Sequence, residues 1–448
     1  MLKRLSRVGL CLLLALAALV GVWWWQFWSA PTLVLAPDPL PWGLPALTWN
    51  ALPMPDLTEL ARELAWPLAF TLAWVLGELA NRWTGLPRIS VYGLVGFALA
   101  NSPVPLLPVG DETPLMLMAH LAFGLILFEL GYRINLHWLR HNPWLGVTGL
   151  LQAGLVFAAV LAVALAFGQA PLNAVLLASL AISTSPAAVL RVTNELRSSG
   201  QVTERLLHLT ALNCLLSVLA FKLCVGVWAF NSTGSLWQAL SSSVLQLGGS
   251  MLLGLCFGTA VPALLRSLKS LARDATLGFA LGVLLLVTLA QALGTSPLLA
   301  ALTFGLVARH HRVVLAPAQR NFGALGELLC ITLFVFVTTT VAWPRVVAGL
   351  GLALVLIAVR LLVQVAVGTL LARVSGISWR KGALTGLGMT PISVFVILLL
   401  EHTRVLGIDL LDQLAPLAAM TLLLDIAAPL VTRRALIWAG ERGQPEHS

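Results

Sequence analysis

The chain has 448 residues, 59% of them apolar and 10% charged, with a mean hydropathy of +0.92 and a formal charge of +9. A soluble enzyme is excluded by that composition: apolar runs of about 18 residues or more recur from end to end, so the bilayer is the solvent and the chain is an all-α polytopic membrane protein. The positive charge is not a nucleic-acid patch, because the basic residues fall in short connectors on alternate sides of successive spans, which is the positive-inside pattern.

Residues 1–28 begin with Lys3, Arg4 and Arg7, continue with about 20 apolar residues and finish on Trp23, Trp24, Trp25 and Trp28. That run is longer than a signal-peptide core, so an N-terminal transmembrane segment or signal anchor with an aromatic belt is favoured over a cleaved leader. Residues 29–63 are Pro-rich and poor in basic residues, and are expected to form an extracytoplasmic loop. Core spans are expected over 64–81, 89–107, 115–134, 144–167, 173–190, 206–230, 236–265, 275–293, 296–308, 325–342, 346–371, 383–400 and 413–432, with 435–448 a short cytoplasmic tail. Of the 27 Lys and Arg residues, only Arg62, Arg345 and Arg404 fall on the outer side and Lys222 and Arg360 well inside spans, Arg133 lying at the cytoplasmic edge of 115–134. Both termini are then cytoplasmic if the first segment is retained, and the thirteen core spans keep their orientation if it is not. The setting expected is a bacterial inner (plasma) membrane.

The two halves 64–230 and 275–432 each hold six spans, with 236–265 left as a bridge inside the membrane domain 64–434. An odd bridging helix turns the second half upside down, giving an inverted repeat. The fifth span of each half is interrupted by polar residues and proline: Ser183, Thr184, Ser185 and Pro186 in the first, Thr390 and Pro391 in the second. Proline removes a backbone hydrogen bond and hydroxyls compete for the carbonyls left over, so both helices should open. Broken helices in matching positions point to a midplane ion site at which freed carbonyls and half-helix ends meet.

In order along the chain, Leu86-Pro87-Arg88 with the glycine-spaced Tyr92-to-Gly96, Phe128-Glu129-Leu130-Gly131, Ser183-to-Pro186 with Arg191 and Glu195, Gly294-Thr295-Ser296-Pro297 with Gly305, and Met389-Thr390-Pro391 resemble five elements of the monovalent cation:proton antiporter superfamily, which includes the sodium/hydrogen exchangers and the potassium-efflux antiporters. The resemblance covers roughly 65–432. It implies thirteen spans, a core with crossed broken helices, a panel-like dimerisation domain, a homodimer in the lipid bilayer, and exchange of a monovalent cation for a proton. It also implies a carboxylate on the span after the first broken helix, where this chain has Asn213-Cys214 instead. An unactivated thiol is a poor ligand for a hard cation.

Thr210, Asn213 and Ser217 share a helix face by their three- and four-residue spacing, so they either line a cavity or join two helices. Arg360 lies near the centre of its span, where relatives carry a Lys or Arg beside the ion-binding acid; it is a fixed counter-charge, since arginine does not release its proton. Asp425 within the last span either pairs with Arg360, carries the proton, or is structural. Glu129 lies one turn before Arg133 and reads first as an intrahelical pair and second as a carrier. Lys222 projects from the face opposite Asn213, Glu78 and Glu327 are interfacial, and His310-His311 form a charged turn. The five cysteines lie in apolar runs with no paired spacing, so no metal site or cofactor is expected. The leading reading is a secondary cation (sodium or potassium)/proton antiporter, not an enzyme. A non-transporting regulatory subunit on the same fold and an anion or organic-acid transporter are the alternatives, and flux with a substrate panel separates the three.

Overall fold

Backbone polar groups have no water to bond with in a bilayer, so each spanning segment must satisfy its own, and the helix is the form that does so locally. The computed structural model describes residues 57–102, 107, 113–233, 236–267, 275–310, 322–393, 396 and 414–443, and among them there are helices and no strands. The expected N-terminal segment 1–28, most of the Pro-rich loop and the later part of span 383–400 lie outside the described residues. The chain divides into two units, Met1–Leu68 and Ala69–Ser448. The described part of the first unit, residues 57–68, is helical.

The helices are α1 (Leu57–Thr84), α2 (Arg88–Ala100), α3 (Thr113–Arg133), α4 (Leu136–His141), α5 (Pro143–Ala166), α6 (Pro171–Ala181), α7 (Pro186–Glu195), α8 (Gln201–Thr233), α9 (Leu236–Ser267), α10 (Ala275–Ala292), α11 (Pro297–His310), α12 (Gly323–Thr339), α13 (Trp343–Leu370), α14 (Trp379–Gly388) and α15 (Ala415–Trp438). Nine spans among the described residues are long and apolar enough to cross a membrane, with α6 and α7 together making one of them; α2, α11 and α12 are shorter apolar helices. This is an integral membrane protein.

Three boundaries differ from the sequence reading. Helix α1 starts at Leu57, inside the stretch expected to be loop, because Leu57, Leu60 and Leu64 already follow the helical period and Glu59 suits the positive end of a helix. Helix α2 stops at Ala100, short of the expected 107. The Asn101 amide donates to the carbonyls of Phe97 and Val341, both at 3.0 Å, and its oxygen accepts from Trp343 N at 2.7 Å, tying the helix end to α13. The short α4 was not expected; Asn135 caps it by accepting from the backbone N–H groups of His137 and Trp138.

Within the second unit α13 packs against α5, α14 and α15, and α6 packs against α5 and α8, while α3 packs with α11 and α12, and α9 with α11. The α13–α14 contact is a backbone-to-backbone one. A Cβ on Gly368 would press on the Gly382 carbonyl at 2.7 Å, and one on Gly382 would press on the Gly368 carbonyl in return. Small residues permit this approach, and the approach brings Arg360 under the second break. Across the α3 contacts, the buried ring of Phe128 lies 5.1 Å from Phe279 and 4.8 Å from Phe304, and the three aromatic rings lock α3, α10 and α11 together.

The end of the described chain returns to the start of α8. The buried Glu441 carboxylate accepts from Val202 N and Thr203 N, both at 2.8 Å, and from the Thr203 hydroxyl at 2.9 Å. It is a charged N-cap supplied from 238 residues away, set against the positive end of a long helix. Glu441→Ala should lower stability in detergent by about 2 kcal/mol, the scale of charge-assisted capping bonds. Hydrogen exchange should localise the loss to the first turn of α8; unchanged protection at residues 202–205 would show that the cap is idle.

Candidate ion site

Helix α6 ends at Ala181 and α7 begins at Pro186, so residues 182–185 are the opened stretch of the first broken helix. Ser185 then restarts the helix: its hydroxyl accepts from Ala188 N at 3.2 Å, with Pro186 at the first helical position, where a missing N–H does no harm. The second break follows Gly388, with residues 389–393 non-helical. The two opened stretches are joined directly, Ser185 N donating to the Pro391 carbonyl at 3.0 Å.

Beneath that joint lies Arg360, 1% exposed. Its Nε donates to the Ala181 carbonyl at 2.8 Å, Nη1 to Thr390 at 2.5 Å, and Nη2 to Ser183 at 2.7 Å, Met389 at 3.2 Å and Pro391 at 3.3 Å. Both half-helices, α6 and α14, point their C-terminal ends at this guanidinium, so two partial negative charges and five freed carbonyls converge on one cation. The carboxylate considered as its partner is not there: among the described residues Arg360 makes no ion pair, and Asp425 has neither an ion pair nor a hydrogen bond. Each of the three guanidinium nitrogens already donates to a carbonyl, which argues against an anion seat.

On the other side of the first break, α8 presents the face anticipated from spacing. Asn213 Nδ2 donates to the Thr184 hydroxyl at 3.3 Å, the Cys214 thiol to the Thr184 carbonyl at 3.1 Å, and the Ser217 hydroxyl to the Ser179 carbonyl at 2.8 Å. These three side chains hold α8 to the broken helix. Asn213 Oδ1, Thr210 Oγ1 and Ser393 Oγ are buried without hydrogen-bond partners among the described residues. Among the described residues the crossing therefore offers neutral oxygens and no acid.

Glu129 lies elsewhere. It accepts from Arg133 Nη2 at 2.8 Å and from Asn194 Nδ2 at 3.1 Å, and Arg133 also donates to Asn194, so α3 and the end of α7 share a closed polar cluster. Lys222 donates to Gln246 at 3.0 Å; Glu78 and Glu327 both pair with Arg88, at 2.9 and 3.5 Å. His310 bonds the carbonyl one turn back, at 2.8 Å. Sequence reasoning passed over Gln152 and Gln364. Gln152 donates to the Gln364 carbonyl at 2.9 Å, while the whole side-chain amide of Gln364, one turn after Arg360, is buried without a partner among the described residues. Their signal was available, since two amides in apolar spans are as costly as hydroxyls.

A family model described as "Sodium/hydrogen exchanger, transmembrane" matches residues 68–438. Two structures of the sodium proton antiporter MjNhaP1 from Methanocaldococcus jannaschii are similar to this chain at 17% identity. One, at pH 8, has a TM-score of 0.57 and covers 85% of this chain and 98% of that one. The other, a three-dimensional electron-microscopy map, has a TM-score of 0.60 with coverages of 86% and 97%. At this identity the likeness concerns the fold alone. No curated protein matches the sequence.

Replacing Arg360 tests what holds the crossing. Arg360→Met leaves the Ala181, Ser183, Met389 and Thr390 carbonyls without their guanidinium donor, Pro391 keeping the Ser185 N–H, and should cost about 3–5 kcal/mol, the range for removing one partner of a buried charged contact. Arg360→Lys, with a compact ammonium in place of a planar fork, should recover only part of it. Thermal unfolding in detergent reads both; a lysine variant as stable as the parent would refute the convergence of carbonyls as the stabilising contact.

Proposed function

The chain belongs to the sodium/hydrogen exchanger family, and on that premise we propose that it is a secondary antiporter exchanging a monovalent cation, sodium or potassium, for protons. The observation that carries the reading is the crossing: two opened stretches joined at Ser185–Pro391 and both seated on Arg360. Such a joint gives a membrane protein a polar centre at mid-depth without exposing backbone to lipid, which alternating access requires. The working unit in this reading is a homodimer in a bacterial plasma membrane, with its basic connectors on the cytoplasmic side.

Exchange needs one group that a proton and a cation occupy in turn. Arginine is a permanent cation and neutralises the half-helix ends, so it is the fixed charge and a buried acid is the carrier. The buried acids among the described residues are Glu129, Asp425 and Glu441. Glu129 is committed to Arg133 and Asn194, and Glu441 caps α8. Asp425 is the one without a partner among the described residues, and an unpaired carboxylate in apolar surroundings must be neutralised by a proton or by a bound cation. That alternation is the chemistry of antiport.

A second reading keeps the fold without transport. It draws on Asn213 and Cys214, which stand at the position of the family's acid and are spent on holding Thr184. Proteoliposomes with an internal pH dye separate the two. The antiporter reading expects proton flux driven by an opposing sodium or potassium gradient, abolished in Asp425→Asn and retained in Glu129→Gln at whatever level of protein folds. Absence of flux with sodium, potassium and lithium across the pH range would overturn it in favour of a non-transporting subunit.

A further inference from the structure

The two halves of the chain can be brought into register by a matched pair of hydrogen bonds. In the first half Ser217 on α8 donates to the Ser179 carbonyl at 2.8 Å, near the C-terminal end of half-helix α6. In the second half Thr432 on α15 donates to the Gly388 carbonyl at 2.9 Å, at the C-terminal end of half-helix α14. Each contact ties the span after a broken helix to the end of the half-helix before the break. Seven residues earlier, two turns back on the same face, stand Thr210 in the first half and Asp425 in the second. In this register a position that carries the Thr210 hydroxyl in the first half carries the Asp425 carboxylate in the second.

We propose that the transported cation binds in the second half, between α2 and α15, held by the Asp425 carboxylate, the Asp425 main-chain carbonyl and the Ser90 hydroxyl. This rests on the antiporter reading and gives that carrier its ligands. Pro429 lies inside α15, four residues after Asp425, and has no N–H, so the Asp425 carbonyl loses its helical donor and is free to accept. Freed carbonyls at a break are the usual main-chain ligands for cations in membrane transporters. The side chain and main chain of one residue therefore offer oxygen in the same turn.

Ser90 comes from the facing helix. Helices α2 and α15 run antiparallel: Gly85, just before α2, lies against Arg433, and Gly93 lies against Asp425. Ser90 precedes Gly93 by one turn on the same face, about 4.5 Å along the axis, which sets it beside the turn from Asp425 to Pro429. It is 4% exposed and its hydroxyl has no hydrogen-bond partner among the described residues. A buried hydroxyl without a partner in a protein interior calls for a ligand or a water. Gly93 leaves room for one: a Cβ built there would stand 3.9 Å from Asp425 Cβ and 3.4 Å from Thr338 Cγ2, in ordinary contact.

At the matching position the first half has the Thr210 hydroxyl and no carboxylate. The cavity beside Cys214 is walled by Phe123, Leu127, Leu215, Val218 and Leu298. Nothing on that wall replaces the hydration shell of a hard cation, whereas carboxylate, carbonyl and hydroxyl oxygens do.

The test measures cation binding directly on the purified full-length chain in detergent. Unfolding temperature is followed against added sodium, potassium or lithium chloride, with choline chloride holding ionic strength constant. The parent should be stabilised by at least one cation, Asp425→Asn should lose that response entirely, and Ser90→Ala should need about five- to tenfold more cation for the same shift, one hydrogen-bond-sized ligand contribution. Gly93→Ala adds a methyl with no clash, so it should fold normally and weaken the response several-fold by filling the space. A full response in Asp425→Asn overturns this site while leaving intact any antiport seen in liposomes. Loss in Asp425→Asn with parental affinity in both Ser90→Ala and Gly93→Ala overturns the ligand set between α2 and α15. A parent that shows neither a cation response nor flux removes the antiporter reading, and this site with it.

Discussion

The structure depends on one buried cation receiving the ends of two interrupted helices. A helix that stops in mid-membrane leaves carbonyls unsatisfied and a partial negative charge at its end, and two such ends brought together would repel. Arg360 answers both difficulties at once, donating to five carbonyls from Ala181 to Pro391 while supplying the opposite charge. The converse also holds, since a guanidinium taken out of water is costly unless its donors are met, and here the breaks meet them. Neither the breaks nor the arginine is tolerable alone; together they make a polar joint in an apolar bundle.

Around that joint the two halves do different work. On the first side Asn213, Cys214 and Ser217 all act as donors to α6 and the opened stretch after it. On the second side Thr432 does the fastening and Asp425, two turns away, is left without a partner among the described residues. The polar groups near the ends of spans, from Glu129 with Arg133 and Asn194 to Glu78 with Arg88, are in contrast sets whose carboxylates are met by neighbours.

Much of the architecture was legible in the chain because a bilayer imposes simple rules. Apolar runs placed the described spans, with α1 starting seven residues before and α2 ending seven residues short of the expected bounds, and Ser183-to-Pro186 marked the first break where proline and hydroxyls must open a helix. The face of Thr210, Asn213 and Ser217 followed from helical spacing. The boundaries that moved did so through polar contacts remote in sequence: α2 ends where Asn101 reaches Val341 and Trp343, 240 and 242 residues away. The cap of α8 by Glu441 was out of reach for the same reason, as no local pattern says which helix start a distant glutamate will meet.

Sequence by itself determined the class of protein, the interrupted helices and the absence of an acid at Asn213-Cys214, because hydropathy, proline and residue identity act locally and need no partner. It also raised the pairing of Arg360 with Asp425, since two opposite charges in neighbouring apolar spans invite it. Only the tertiary structure decided against that pairing. Which oxygens a guanidinium finds depends on where the backbones of α6, α13 and α14 meet, and the glycine contact between α13 and α14 puts carbonyls there first. The acid was left for a different helix face, and that is a matter of packing that composition and periodicity do not encode.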